Sequence, residues 1–146
     1  MSIKSTLLKT LAVVALAFAI VAPALATPPA GYIEINYHRD DGKYDGWGVH
    51  LWKDPNMPLP DIEWPSPMMP TGKTDFGVFW HAKESEFGSK IHVNYIIHKG
   101  DIKEQGGRDM AFDGRQYKAI WVLNGDRRIY YSLEEATKAM APAPAK

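Results

Sequence analysis

The sequence predicts an all-β antiparallel sandwich that ends in one short helix. Three observations predict it. Apolar and polar residues alternate with period two over several short stretches, turn-forming clusters separate them at intervals of about ten residues, and a Ser-x-x-Glu pattern follows the last stretch.

The first strand is expected over residues 32–38. Ile33, Ile35 and Tyr37 share the core side, while Glu34, Asn36 and His38 face out. An Asp-Gly turn cluster, 39–43, precedes a second strand at 46–52. There Trp47, Val49 and Leu51 have one parity and Gly48, His50 and Trp52 the other. Residues 53–73 read as a long loop, because six prolines there cannot donate to a ladder. That loop also holds Met57, Trp64, Met68 and Met69. Further strands are expected at 75–81, 91–98 and 118–123, and the Gly-rich stretch 99–109 reads as a loop. Asn124-Gly125-Asp126 signals a hairpin that returns a sixth strand over 127–131. The capping pattern Ser132-Leu133-Glu134-Glu135 starts a helix through about Met140, and the Ala/Pro tail to Lys146 is of low complexity.

Residues 1–26 have the form of a secretory signal peptide. Lys4 and Lys9 lead, an apolar run spans 11–21, and Ala24-Leu25-Ala26 offers a cleavage site. The domain proper is then 27–131, with 132–146 as helix and tail, in a secreted or periplasmic protein with no membrane attachment after cleavage. Removing Lys4 and Lys9 leaves 15 basic against 17 acidic residues, a net charge of −2. Such a balance offers no pull toward nucleic acid or anionic lipid. With no cysteine, disulfides and thiolate metal sites are excluded. The five histidines form no His-x-His pair, so no metal is expected. Nucleophile-elbow, phosphate-loop and zinc-protease motifs do not occur, and Asp40-Asp41 lies in turn sequence. Catalysis and cofactors are therefore not expected.

Five Trp, seven Tyr and five Phe are a large aromatic load for one small domain; the core takes some of it, and the question is whether some faces water. Period-two geometry sets His50 and Trp52 side by side on the outward parity, where flat rings can stack on the C–H faces of sugars. Trp47 has the inward parity and reads first as core, but it joins the candidate set as a neighbour of the pair. The loop after the fourth strand adds polar candidates: Lys103 and Asp109, with Lys99 and Asp101 as alternatives.

The string from Asn36 to Trp52 (NYHRDDGKYDGWGVHLW) resembles the bacterial pullulanase-associated domain, also called carbohydrate-binding module family forty-one. The likeness continues through Asp75-Phe76-Gly77, Ile96-Ile97-His98-Lys99-Gly100-Asp101 and Trp121-Val122, covering about residues 32–131. The resemblance implies an immunoglobulin-like antiparallel β-sandwich that binds α-1,4-glucans such as maltooligosaccharides, pullulan, glycogen or starch without catalysis. It implies that positions 50 and 52 form the stacking platform, with His50 where some members carry Trp, and that a Lys and an Asp of the later loop supply polar contacts. Such domains usually precede a large catalytic barrel, so the chain reads as a free-standing module with a separate glycoside hydrolase as a further partner. Two other readings remain at this point. One is an exported protein-interaction module that uses the Met/Pro-rich loop 54–70. The other is a small hydrolase.

Overall fold

The computed structural model describes residues 28–142. The segment 1–26, expected to be a signal peptide, and the end of the Ala/Pro tail lie outside the described residues. Among the described residues, nine strands and one α-helix follow in chain order: β1 (Tyr32–His38), β2 (Gly48–Lys53), β3 (Met57–Pro58), β4 (Gly72–Lys73), β5 (Val78–Lys83), β6 (His92–Lys99), β7 (Ile102–Lys103), β8 (Met110–Asp113), β9 (Ala119–Leu123) and α1 (Leu133–Met140).

They form two sheets. One has the order β4-β5-β1-β9. The other runs β3-β2-β6-β7, with β8 also on β6. The fold is thus mostly β with a short C-terminal helix, as alternation and capping predict. The inward parity of β1 holds: Ile33, Ile35 and Tyr37 are fully buried. Opposite them, Val49 and Leu51 of β2 and Val93, Tyr95 and Ile97 of β6 complete one shared core with Val78, Trp80, Ile120 and Val122.

Three expectations change. The pairing is not wholly antiparallel, because β9 runs parallel to β1 with Ile35 opposite Ile120. Parallel neighbours cannot be joined by a tight turn. Here the chain reaches β9 from β8 in the other sheet, and no local signal marks that crossing. The sixth strand, 127–131, shrinks to one bridge, in which Trp121 and Tyr130 exchange two backbone bonds of 2.8 and 3.0 Å. Asp126 explains this. Its carboxylate accepts from the Arg128 backbone N–H at 2.9 Å and from the Tyr130 hydroxyl at 2.6 Å, so a local side-chain turn outcompetes the ladder. Finally, Glu34 and Asn36 do point outward but are 3% exposed. Asn36 donates to Glu34 at 2.8 Å, and His81 on β5 meets the other Glu34 oxygen at 2.6 Å, so the polar pair is covered and satisfied.

At the C-terminus, Ser132 accepts from the Glu135 N–H at 3.1 Å, and Glu135 reaches back to the Tyr131 N–H at 3.2 Å. This is a capping box displaced by one residue. Ala136 then seats α1 against Leu123 and Tyr130.

Candidate functional site

The outward side of the five-stranded sheet is where the sequence places its platform. Along β2 that side carries Gly48, His50 and Trp52. Antiparallel register sets them opposite His98, Ile96 and Asn94 of β6, and Lys103 of β7 lies opposite His98. Cross-strand partners leave the same face, so His50, Trp52, His98 and Lys103 form one patch.

The patch is not bare. The loop between β3 and β4 folds back over it. Val49 and Met68 exchange two backbone bonds of 2.9 Å, and the Trp80 indole N–H donates to the Met68 carbonyl at 2.8 Å. A second bridge, Glu63 with Ser66, closes a tight turn whose two central residues are Trp64 and Pro65. Gly48 permits the close approach: a Cβ there would stand 2.6 Å from the Pro67 ring. Trp64 is thereby delivered to the patch. Its ring stacks on His98 with centroids 3.8 Å apart and planes 5° from parallel. His50 lies 5.6 Å from Trp64, nearly edge-on, and 5.7 Å from Trp52. The Lys103 ammonium lies 5.0 Å from the Trp64 ring centre, a cation–π distance.

This geometry corrects the expectation of a bare Trp52. Trp52 is 9% exposed, and Ile96 and His98 on the same face are 7% and 1% exposed. Outward residues of a sheet become this buried only when something lies over them, and the loop does so. Trp64, half-buried at the turn tip, is the flat ring that meets solvent at the edge of the patch. In the sequence, Trp64 reads only as part of a possible protein-contact loop. A proline-bracketed Trp inside a long loop was the available signal, but no local periodicity ties it to β2. Met57 and Met69 of the same loop remain about half exposed.

The other candidates divide. Lys103 joins the patch. The Lys99 stem lies instead against Gly46, and Asp101 and Asp109 are exposed, with no ion pair among the described residues. Trp47 leaves the set. It is 5% exposed in the core, its ring 5.7 Å from Tyr37 and capped by the Arg39 guanidinium at 4.4 Å.

Burial, then the neighbouring His98, push the His50 imidazole below its ordinary range, with the Glu63 backbone opposing. A histidine whose folded value is depressed contributes stability that is present above its unfolded value, about 6.5, and that is lost as pH falls below it. The fall in melting temperature between about pH 7.5 and about pH 5 should therefore be smaller in His50→Gln than in the parent. Equal falls in thermal melts at the two pH values would show that His50 carries no such linkage.

Beneath the patch, Glu104 follows Lys103 directly and is 6% exposed. It accepts hydrogen bonds from the Tyr37 hydroxyl, from Arg39 at 3.3 Å, from the Asn124 amide at 2.8 Å and from the Gly125 N–H at 3.0 Å. This hub ties the β7 hairpin to β1 and to the turn after β9. Burial and the adjacent carboxylate hold the Tyr37 hydroxyl well above the ordinary phenol range.

Known proteins share this architecture. A module described under "Alpha-glucan recognition by family 41 carbohydrate-binding modules from streptococcal virulence factors" is 25% identical, with a TM-score of 0.57 over 72% of this chain and 49% of that one. The PulA structure from Klebsiella pneumoniae is 22% identical, with a TM-score of 0.61, covering 80% of this chain but 13% of that one. At the sequence level, an α-amylase of Streptomyces lividans is 34% identical over 70 residues, which is 48% of this chain and 7% of that protein. The chain thus spans a small part of the enzymes it resembles. The model of the bacterial pullanase-associated domain matches residues 31–131, most of the described chain, and the protein belongs to that family.

Proposed function

We propose that this domain binds α-1,4-glucans without catalysing their cleavage, through the patch that Trp64 completes. The observation that carries the reading is the convergence of a half-exposed indole, an imidazole and an ammonium at one sheet face, with Trp52 packed behind them. A sugar ring offers axial C–H groups to the open face of Trp64, and the indole binds them at little entropic cost. Lys103 lies over the Trp64 ring, 5.0 Å from its centre, which puts its ammonium beside a sugar bound there, where it donates a charge-assisted hydrogen bond to a hydroxyl. Asp109, Asp101 and Lys99 serve as outer contacts to a longer chain. Family membership and the α-glucan modules among the similar structures support the ligand class.

The finer fold reading is an immunoglobulin-like sandwich, supported by two facing sheets of short strands. The domain acts outside the cytoplasm, beside a glycoside hydrolase that degrades the same polymer. The enzyme names among the similar proteins support that partnership.

Affinity electrophoresis tests the reading. Migration of the folded domain should slow in gels containing glycogen or pullulan and stay unchanged in gels containing dextran, an α-1,6 glucan. Equal mobility in all gels, at polymer concentrations that retard a known starch-binding protein, would overturn it.

A further inference from the structure

Trp64 sits at the tip of a turn, and its backbone is pinned on both sides by the Glu63–Ser66 bridge. That fixes where the side chain starts, not how the ring lies. Two imidazoles touch the ring. His50 meets it at 65°, which is an edge contact. His98 meets it at 5° and 3.8 Å, a full face-to-face contact. The broad contact sets a plane, whereas the edge contact allows rotation.

His98 is itself rigid. It is 1% exposed, and its Nδ1 lies 2.9 Å from the Gly100 carbonyl, so Nδ1 carries the proton and donates it. Its Nε2 is then the acceptor nitrogen, and it is buried without a hydrogen-bond partner among the described residues. A buried acceptor left unmet is disfavoured, and an apolar residue would fill the position without that defect. What the imidazole supplies there is a flat ring locked by its own hairpin.

We infer that His98 is the positioning residue of the platform: Gly100 orients the imidazole, and the imidazole sets the tilt of the Trp64 ring that a glucosyl unit meets. This rests on the glucan reading above. It also leaves only one face of Trp64 for sugar, because His98 occupies the other.

Two substitutions separate the ring from the hydrogen bond. His98→Phe keeps a flat ring and loses the bond to Gly100. His98→Gln keeps a donor and loses the ring. Binding of maltoheptaose by titration calorimetry should weaken about two- to threefold in His98→Phe, which keeps the ring without its anchor, and about five- to tenfold in His98→Gln, which loses the ring. The reverse order, or parent-like binding in His98→Gln, overturns the inference. In the parent protein, the ring protons of His98 should resonate upfield of the other histidines and return downfield in Trp64→Ala. Their absence from the upfield region overturns the stack whether or not either variant folds. If Trp64→Ala binds maltoheptaose as the parent does, the glucan reading at this ring fails. If Trp64→Ala loses binding while His98→Gln keeps it, only the positioning role fails.

Discussion

Glu104→Ala should melt at least about 10 °C below the parent protein, the size of a buried charged hub losing its acceptor. Four donors from two distant parts of the chain converge on this carboxylate: Tyr37 and Arg39 at the end of β1, and Asn124 and the Gly125 N–H after β9. Truncation to alanine leaves the fully buried Tyr37 hydroxyl and the partly buried Asn124 amide without their acceptor, whereas the exposed Gly125 N–H can turn to water. Arg39 is the least affected member, because Asp41 also holds it at 2.8 and 3.0 Å. The charge is therefore not orphaned, and the loss comes mainly from unmet neutral donors and the hole left behind. Each such donor costs about 1–3 kcal/mol, for a total of about 3–5 kcal/mol. Glu104→Gln keeps one acceptor oxygen but turns an amide donor toward other donors, so its melting point should fall between the two. Circular-dichroism melts of the three proteins check the order. A Glu104→Ala melting point within about 3 °C of the parent would mean that the hub contributes little.

The hub also shows what the sequence could and could not reveal. Period-two alternation reads β1, β2 and β6 well, because each buries one side in a common core and polar residues fill the other. It assigns Val49 and Leu51 to the interior correctly. It then misjudges the opposite side, because alternation records which residues share a face and not what lies above that face. Glu34, Asn36 and His98 are polar residues on outward parities, yet all are nearly fully buried. Their partners are not legible in a single strand: the His81 side chain on neighbouring β5 meets Glu34, Asn36 bonds to Glu34 itself, and the Trp64 turn lies on His98. The two-residue strands β3, β4 and β7 are too short to show any period. β8 is only four residues long (Met110–Asp113) and follows a polar, Gly-rich loop, so its pairing with β6 is not marked by any sustained alternation. The acidic residue after Lys103 looked like one more charge in a solvated loop. Only its meeting with Asn124 and Tyr37, 20 and 67 residues away, makes it structural.

The same covered face sets the sharpest functional contrast. Trp64→Ala should weaken binding of α-1,4-glucan about thirtyfold or more, as loss of an aromatic anchor does, while shifting stability by only about 1 kcal/mol, because the ring sits half-exposed at a turn tip. Trp52→Ala should behave differently. At 9% exposure its ring is packing material, and removing it should cost about 3–5 kcal/mol of stability, with weakened binding following from loss of the surface that supports His50 and the turn. Two measurements on each variant, a calorimetric titration with maltoheptaose and a urea unfolding curve, separate the roles. Loss of affinity at unchanged midpoint marks the residue that meets the sugar. Loss of both marks the residue that holds the face in shape. If Trp52→Ala keeps the parent midpoint and alone abolishes binding, while Trp64→Ala binds normally, the ligand-facing ring is the one on β2. The loop would then be a cover that opens rather than a part of the platform. The register of β2 against β6 puts Trp52 on the patch and the Glu63–Ser66 turn brings Trp64 to it, and it is the stack on His98 that favours Trp64.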